Sequence, residues 1–173
     1  LSPRIGVLDW SALERGLAWS IIFVLAASLS LANALVTSGA SAWLAQGLTR
    51  TLSALTTEPL LLLLLLMAAT SLIRMGMPSL SGFLPILIPV VLAFAQQVGL
   101  NPLLSALAVV IVGDSIVVYA AQGAASSLLA YERGHFSSRE LLTAGLGTTV
   151  ISFAVVFGVA LPYWALVGER LRP

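Results

Sequence analysis

The chain has 173 residues, of which 59% are hydrophobic and only 9% charged, with a formal net charge of +1 and no cysteine. Ordinary soluble domains carry roughly a quarter charged residues, and a globule of this length has no core large enough to hide so much apolar surface at a mean hydropathy of +1.04. This composition excludes a soluble enzyme, a nucleic-acid binder, a disordered tail, disulfides and thiolate metal sites, and it leaves a multi-pass membrane protein with lipid as its main solvent.

The opening Leu-Ser-Pro-Arg has neither a start Met nor a short apolar core ending in a small-residue cleavage site. It is not a signal peptide, and the chain reads as a piece of something longer. Residues 1–15 are polar enough for an interface, with Arg4, Asp9, Trp10, Glu14 and Arg15. No formal charge occurs from Gly16 to Thr49. About 20 residues cross a bilayer core, so Leu17 to Leu35 is expected to span it. Gly39 breaks that helix. From 40 to 56, Trp43, Leu44, Leu48, Leu52 and Leu55 recur at helical spacing among Gln46, Thr49 and Arg50, which predicts a tilted or interfacial helix.

Glu58-Pro59 starts the next helix, because Pro suits the first turn. The leucines Leu60 to Leu66 continue it as far as Thr70 and Ser71. Arg74, Gly76, Pro78, Ser79, Ser81 and Gly82 then interrupt the apolar pattern, which resumes from Phe83 to Ala95. Two apolar arms around a Pro/Ser/Gly tip predict a re-entrant helical hairpin, with non-helical backbone at membrane depth covered by protein or lining a wet cavity. Gly99-Leu100-Asn101-Pro102 is a turn. Leu103 to Gly113 is apolar and Asp114 follows. Gln122-Gly123-Ala124-Ala125-Ser126-Ser127 predicts a second helix broken in mid-membrane. Tyr131 to Ser138 is polar and should be an aqueous loop, with Glu132, Arg133 and His135 solvated. Ser138, Glu140 and Leu141 read as a helix start, and Leu141 to Val167 as the last span. Trp10, Trp43 and Trp164 suit the two interfaces, and the arginines flanking the spans are too evenly spread to fix orientation.

Two broken segments in one short chain favour a secondary transporter over a structural bundle. A broken helix frees carbonyls and amides in low dielectric. Half-helix N-termini attract anions, while unwound carbonyls hold Na⁺ or H⁺. Ser79, Ser81, Ser126 and Ser127 can ligate Na⁺ or donate to an anion. Equally, the first two can cap the second arm, and the last two can be small residues for helix packing. Gly82 suits a close backbone approach. Asp114, a carboxylate in an apolar stretch, costs about 2.5–3.5 kcal/mol on insertion scales unless paired or hydrated. It ligates a cation, relays a proton or pairs with Arg74; the plain alternative is a cap near the interface for a helix starting at Ser115. Arg74 either neutralises an anionic substrate or snorkels to the headgroups. An enzyme using Asp114, Glu132 or His135 lacks any nucleophile–base spacing.

The order Trp19…Ala26-Ala27-Ser28…Leu31…Ala34-Leu35…Ser38-Gly39…Trp43-Leu44-Ala45 resembles the span that opens the C-terminal half of divalent-anion:sodium symporters. These belong to a larger ion-transporter superfamily that also holds citrate, arsenite and some sodium/proton carriers. Leu87-Ile88-Pro89-Val90, Gly99, Pro102, Gly134-His135-Phe136, Glu140-Leu141-Leu142 and Gly145-Leu146 continue the resemblance at nearly the family's intervals. It runs from about Trp10 to Leu161. The family's hairpin tip reads Ser-Asn-Thr, and counting eleven residues back from Val90 places it at Ser79-Leu80-Ser81, with the outer hydroxyls kept and the Asn lost. The family's unwound Pro-Pro-Asn turn corresponds to Ala124-Ala125-Ser126.

The resemblance implies an all-α integral membrane fold, namely the C-terminal half of an inverted-repeat transporter. Residues 1–57 would form a scaffold-side span and tilted helix, 58–137 the transport-side hairpin and broken helix, and 138–173 the last span and tail. It implies a Na⁺-coupled carrier, with H⁺ as the alternative ion, that moves a small anion such as a dicarboxylate or sulfate. Ser79, Ser81, Gly82 and Ser126 would meet the anion; Ser79, Ser81, Gly123, Ser126 and Ser127 would hold Na⁺; Asp114 and Arg74 would serve coupling. It further implies an N-terminal half that is missing or separate, homodimerisation, and residence in the cell (inner) membrane. A truncated, non-transporting scaffold is the competing reading.

Overall fold

The computed structural model describes residues 19–77, 80–115 and 137–172, and these are helical with short turns between. In chain order the helices are α1 (Trp19–Thr37), α2 (Ala40–Ser53), α3 (Pro59–Gly76), α4 (Leu80–Val98), α5 (Pro102–Ser115), α6 (Ser138–Val155) and α7 (Leu161–Leu166). A π-helical turn, Val156–Ala160, joins the last two. Helix α3 and the stretch Leu142–Leu166 are each long and apolar enough to cross a membrane. The pair α1–α2 passes the same test only together, bent by 69°. That bend falls at Gly39, whose φ of 77° lies in the left-handed region open to glycine. The break and the second helix thus lie where the sequence put them, but α1 does not pass as the separate span expected over Leu17 to Leu35; it does so only together with α2.

The Gly99 turn follows from local chemistry. Gly99, at φ 70°, closes α4 with a Schellman motif: its N–H donates to Gln96 O, and the Leu100 N–H donates to Ala95 O at 2.8 Å. Asn101 then caps α5 through Oδ1, which accepts from the Leu103 and Leu104 amides at 3.0 and 3.4 Å, with Pro102 at the first helical position. Helix α6 starts at a capping box one residue before the expected Ser138. The Ser137 hydroxyl accepts from the Glu140 amide, and the Glu140 carboxylate accepts from the Ser137 amide at 2.7 Å.

Helix α4 is the hub. It packs on α1, α2 and α5, while α5 also meets α3 and α6. Leu62, Leu63, Leu66 and Met67 of α3 share one buried cluster with Phe83, Val91 and Phe94 of α4 and Val109 and Val112 of α5. Outward side chains are apolar too: Phe23, Leu29, Leu72, Val150 and Leu166 are largely exposed. In water that would be a severe cost; facing acyl chains it is none.

Three contacts tie the turns on one side together. The Asn101 N–H donates to Leu171 O at 2.8 Å, Asn101 Nδ2 to Glu169 at 2.8 Å, and Arg172 to Thr57 O at 3.1 Å. The start of α3, the α4–α5 turn and the chain after α7 therefore share one face. The α3–α4 tip lies at the other end of those helices.

Candidate functional site

The candidate site is built where three helix ends converge. Helix α3 ends at Gly76, α4 begins at Leu80, and α5 reaches Gly113 and Asp114 beside them. Arg74, in the last turn of α3, makes that convergence explicit. Its Nε donates to Gly113 O at 3.3 Å, its Nη1 donates to Met77 O, and its guanidinium lies over the Phe83 ring, 5.4 Å from the centroid. Only 3% of Arg74 is exposed, so it does not snorkel. The Nη2 nitrogen is buried without a hydrogen-bond partner. A buried guanidinium missing an acceptor is costly.

Asp114 lies within a helix that includes Ser115, so it does not cap a helix beginning there. It is about 18 Å along the axis from Pro102, against a hydrocarbon layer of about 30 Å. Its side chain is exposed at the surface of the described residues. Gly113 owes its identity to packing: a Cβ there would sit 3.0 Å from Phe83 Cε1. Phe83 is itself fully buried. Neither residue stood out in the sequence, because an apolar run ending in Gly-Asp looks like any helix end. Their importance comes from a contact between elements far apart in the chain.

Ser81, the last residue of the expected tip, lies in the first turn of α4. Gly82 was expected to permit a close approach of backbone, yet a Cβ there would meet nothing within 4 Å. The room it leaves is open rather than filled by the described part of this chain. Ser79, Gly123, Ser126 and Ser127 lie outside the described residues, as do Glu132 and His135. A further feature went unread in the sequence although its signal was visible. Pro85 and Pro89 sit inside α4. Proline has no N–H, so the carbonyls four residues earlier, of Ser81 and Pro85, lose their helical donors. Two carbonyl oxygens in the first turns of α4 are thus left without their helical donors. Among the described residues, no three His, Cys, Asp or Glu side chains come together to hold a metal ion.

A sequence comparison bears on the convergence. Residues 3–169 match the family described as the sodium:sulfate symporter transmembrane region. The chain is 27% identical, over 97% of its length, to a protein of Cupriavidus necator described as a membrane protein, covering 33% of that protein. It is 22% identical, over 92% of its length, to human solute carrier family 13 member 4, covering 25% of it. A transporter of Caenorhabditis elegans described as uncharacterized is 23% identical, with 27% of it covered. The chain thus spans about a third or less of the relatives' lengths. No solved structure matches it. With nearly the whole chain matched, and with all-helical described residues that include helices able to cross a membrane, the chain belongs to the sodium:sulfate symporter family.

Proposed function

We propose that this chain is the C-terminal portion of a Na⁺-coupled secondary transporter of a small anion, a dicarboxylate or sulfate, in the inner membrane of the cell. The family match over residues 3–169 carries this reading. In it, Na⁺ binds between the Ser79–Ser81 tip and the Gly123–Ser127 turn, where hydroxyls and freed carbonyls offer the oxygen ligands a hard cation prefers. The carbonyls of Ser81 and Pro85, stripped of donors by Pro85 and Pro89, support the tip side of that site. The bound cation then draws the anion to the N-terminal end of α4, where Ser79, Ser81, Gly82 and Ser126 surround it and the helix dipole favours negative charge. The hairpin and broken helix, 58–137, move as a body against the other spans. An N-terminal half supplies the rest of the substrate site, and two copies pair as a homodimer.

Uptake by the complete protein in proteoliposomes tests this. Radiolabelled sulfate and succinate are offered with Na⁺ or with choline in its place. Accumulation that requires Na⁺ is expected. Uptake driven equally by a proton gradient without Na⁺ would replace the coupling ion, and no uptake under any gradient would leave a non-transporting scaffold. Ser79→Ala with Ser81→Ala should raise the Na⁺ concentration for half-maximal uptake more than it lowers expression. An unchanged Na⁺ dependence would remove the tip from the cation site.

A further inference from the structure

We propose that a cleft between α2, α3 and α4 holds an anionic phospholipid, with an acyl chain in the cleft and the phosphate at Arg50. The inference goes beyond the carrier reading and needs no transport to hold.

The cleft has a volume of about 640 Å³, which is in the range of small-molecule sites. Ile73 of α3 and Ile86 and Val90 of α4 line one side, and Trp43, Gly47 and Arg50 of α2 line the other. Those three α2 residues stand at i, i+4 and i+7, which sets them along one face of the helix. A glycine weakens a helix interior relative to alanine. Packing does not explain Gly47, because a Cβ there would meet nothing within 4 Å. It keeps the middle of the cleft wide.

The two ends of the cleft differ in chemistry. Thr49 Oγ1 donates to Gln97 Oε1 at 2.9 Å, which sets the neighbouring Arg50 beside the last turn of α4. That end of α4 runs into the Asn101 turn, where the charged residues Glu169 and Arg172 are fastened, so it lies toward water. Ile73 is one turn from the opposite end of α3, and Ile86 lies in the second turn of α4. The cleft therefore runs from a cation at the membrane boundary to isoleucines in the apolar layer. A phospholipid carries phosphate and hydrocarbon in that order.

Charge selects the headgroup. Arg50 is the one formal charge from Gly16 to Thr57. It is exposed, and its side chain has no ion pair or hydrogen bond among the described residues. A lipid phosphate gives it a partner at the depth where the cleft opens, and the exposed Trp43 beside it has the amphipathic ring favoured at that depth.

The test uses the complete protein in nanodiscs of dioleoylphosphatidylcholine with a trace of phosphatidylglycerol bearing a photoactivatable diazirine in its acyl chain. Adducts are mapped by peptide mass spectrometry. They should concentrate on residues 43–50 and 86–90 and be competed by added dioleoylphosphatidylglycerol. Arg50→Gln should weaken that competition about five-fold, while Arg50→Lys should retain it. Gly47→Leu, which fills the cleft, should remove the adducts. Dioleoylphosphatidylglycerol should also raise Tm in detergent for the wild type but not for Arg50→Gln or Gly47→Leu. Adducts no denser in the cleft than on the lipid-facing Phe23 and Val150 would overturn the proposal in favour of an ordinary lipid annulus. So would competition unchanged by Arg50→Gln, whose exposed position keeps the test decisive should Gly47→Leu fail to fold. Absence of adducts from the cleft would overturn it in favour of a covering by another part of the protein.

Discussion

Gly113 has no side chain because Phe83 occupies the space one would need. A Cβ at 3.0 Å from Phe83 Cε1 forces the ring or the helix to move, and both are held in a fully buried contact. Overpacking of this kind typically costs about 1–3 kcal/mol. Gly113→Ala should therefore lower the thermal midpoint in detergent, and adding Phe83→Leu should recover part of the loss. A midpoint unchanged by Gly113→Ala would mean that α5 and α4 are looser here than their contact indicates. The same displacement would disturb Arg74, whose Nε uses the Gly113 carbonyl. None of this was legible in the sequence, which left Arg74 open between substrate contact and snorkelling. Burial of its side chain depends on Phe83 and Gly113 arriving from two other helices, and no local pattern reports that.

At the scale of elements, legibility depended on whether the signal was local. Gly39, Glu58-Pro59 and Gly99-Leu100-Asn101-Pro102 each bring their own turn or cap chemistry, and each boundary fell where those residues put it. The π-helical turn in the last span was missed, although its cause is a single residue. Pro162 cannot donate to Gly158, and the adjoining Leu161 amide donates five residues back, to Val156 O. Pro162→Ala restores that donor. It should convert residues 156–161 to regular α-helix and slow amide exchange there; unchanged exchange would assign the turn to packing around buried Val156 instead.

The start of α6 has a different sensitivity. Two hydrogen bonds from Ser137, by its amide and its hydroxyl, hold the Glu140 carboxyl below its ordinary range. A carboxylate favoured in the folded state stabilises it above the ordinary range, and that contribution is lost as pH falls through the depressed value. Exchange protection in the first turn of α6 should thus be flat near neutrality and fall in acid. In Ser137→Ala the fall should begin at higher pH. An acid response identical in the two proteins would separate Glu140 from the cap.

For the molecule as a whole, the composition alone specified a helical membrane protein, because lipid leaves few other ways to satisfy a backbone. How the helices associate was not available from it. An apolar side chain turned to lipid and one turned to a neighbouring helix are chemically alike, so Phe23 outside and Phe94 inside carry no distinguishing mark. Asn101 is where association becomes specific, since it caps α5 and also binds Leu171 and Glu169. Asn101→Ala should cost about 1 kcal/mol for the cap and loosen residues 169–172 as well. Asn101→Asp keeps the cap oxygen but sets a carboxylate against Glu169. It should expose the same tail to amide exchange with a smaller fall in thermal midpoint. Equal midpoints for the two variants would show that the cap contributes nothing.

Thr57, Asn101 and the 169–172 segment are fastened together at one end of α3 and α4. Each of these helices is about 27 Å long. Swinging such a helix by about 10° carries its far end about 5 Å, while the fastened end hardly stirs. A pivot at this clasp would thus be felt most at the Arg74 end.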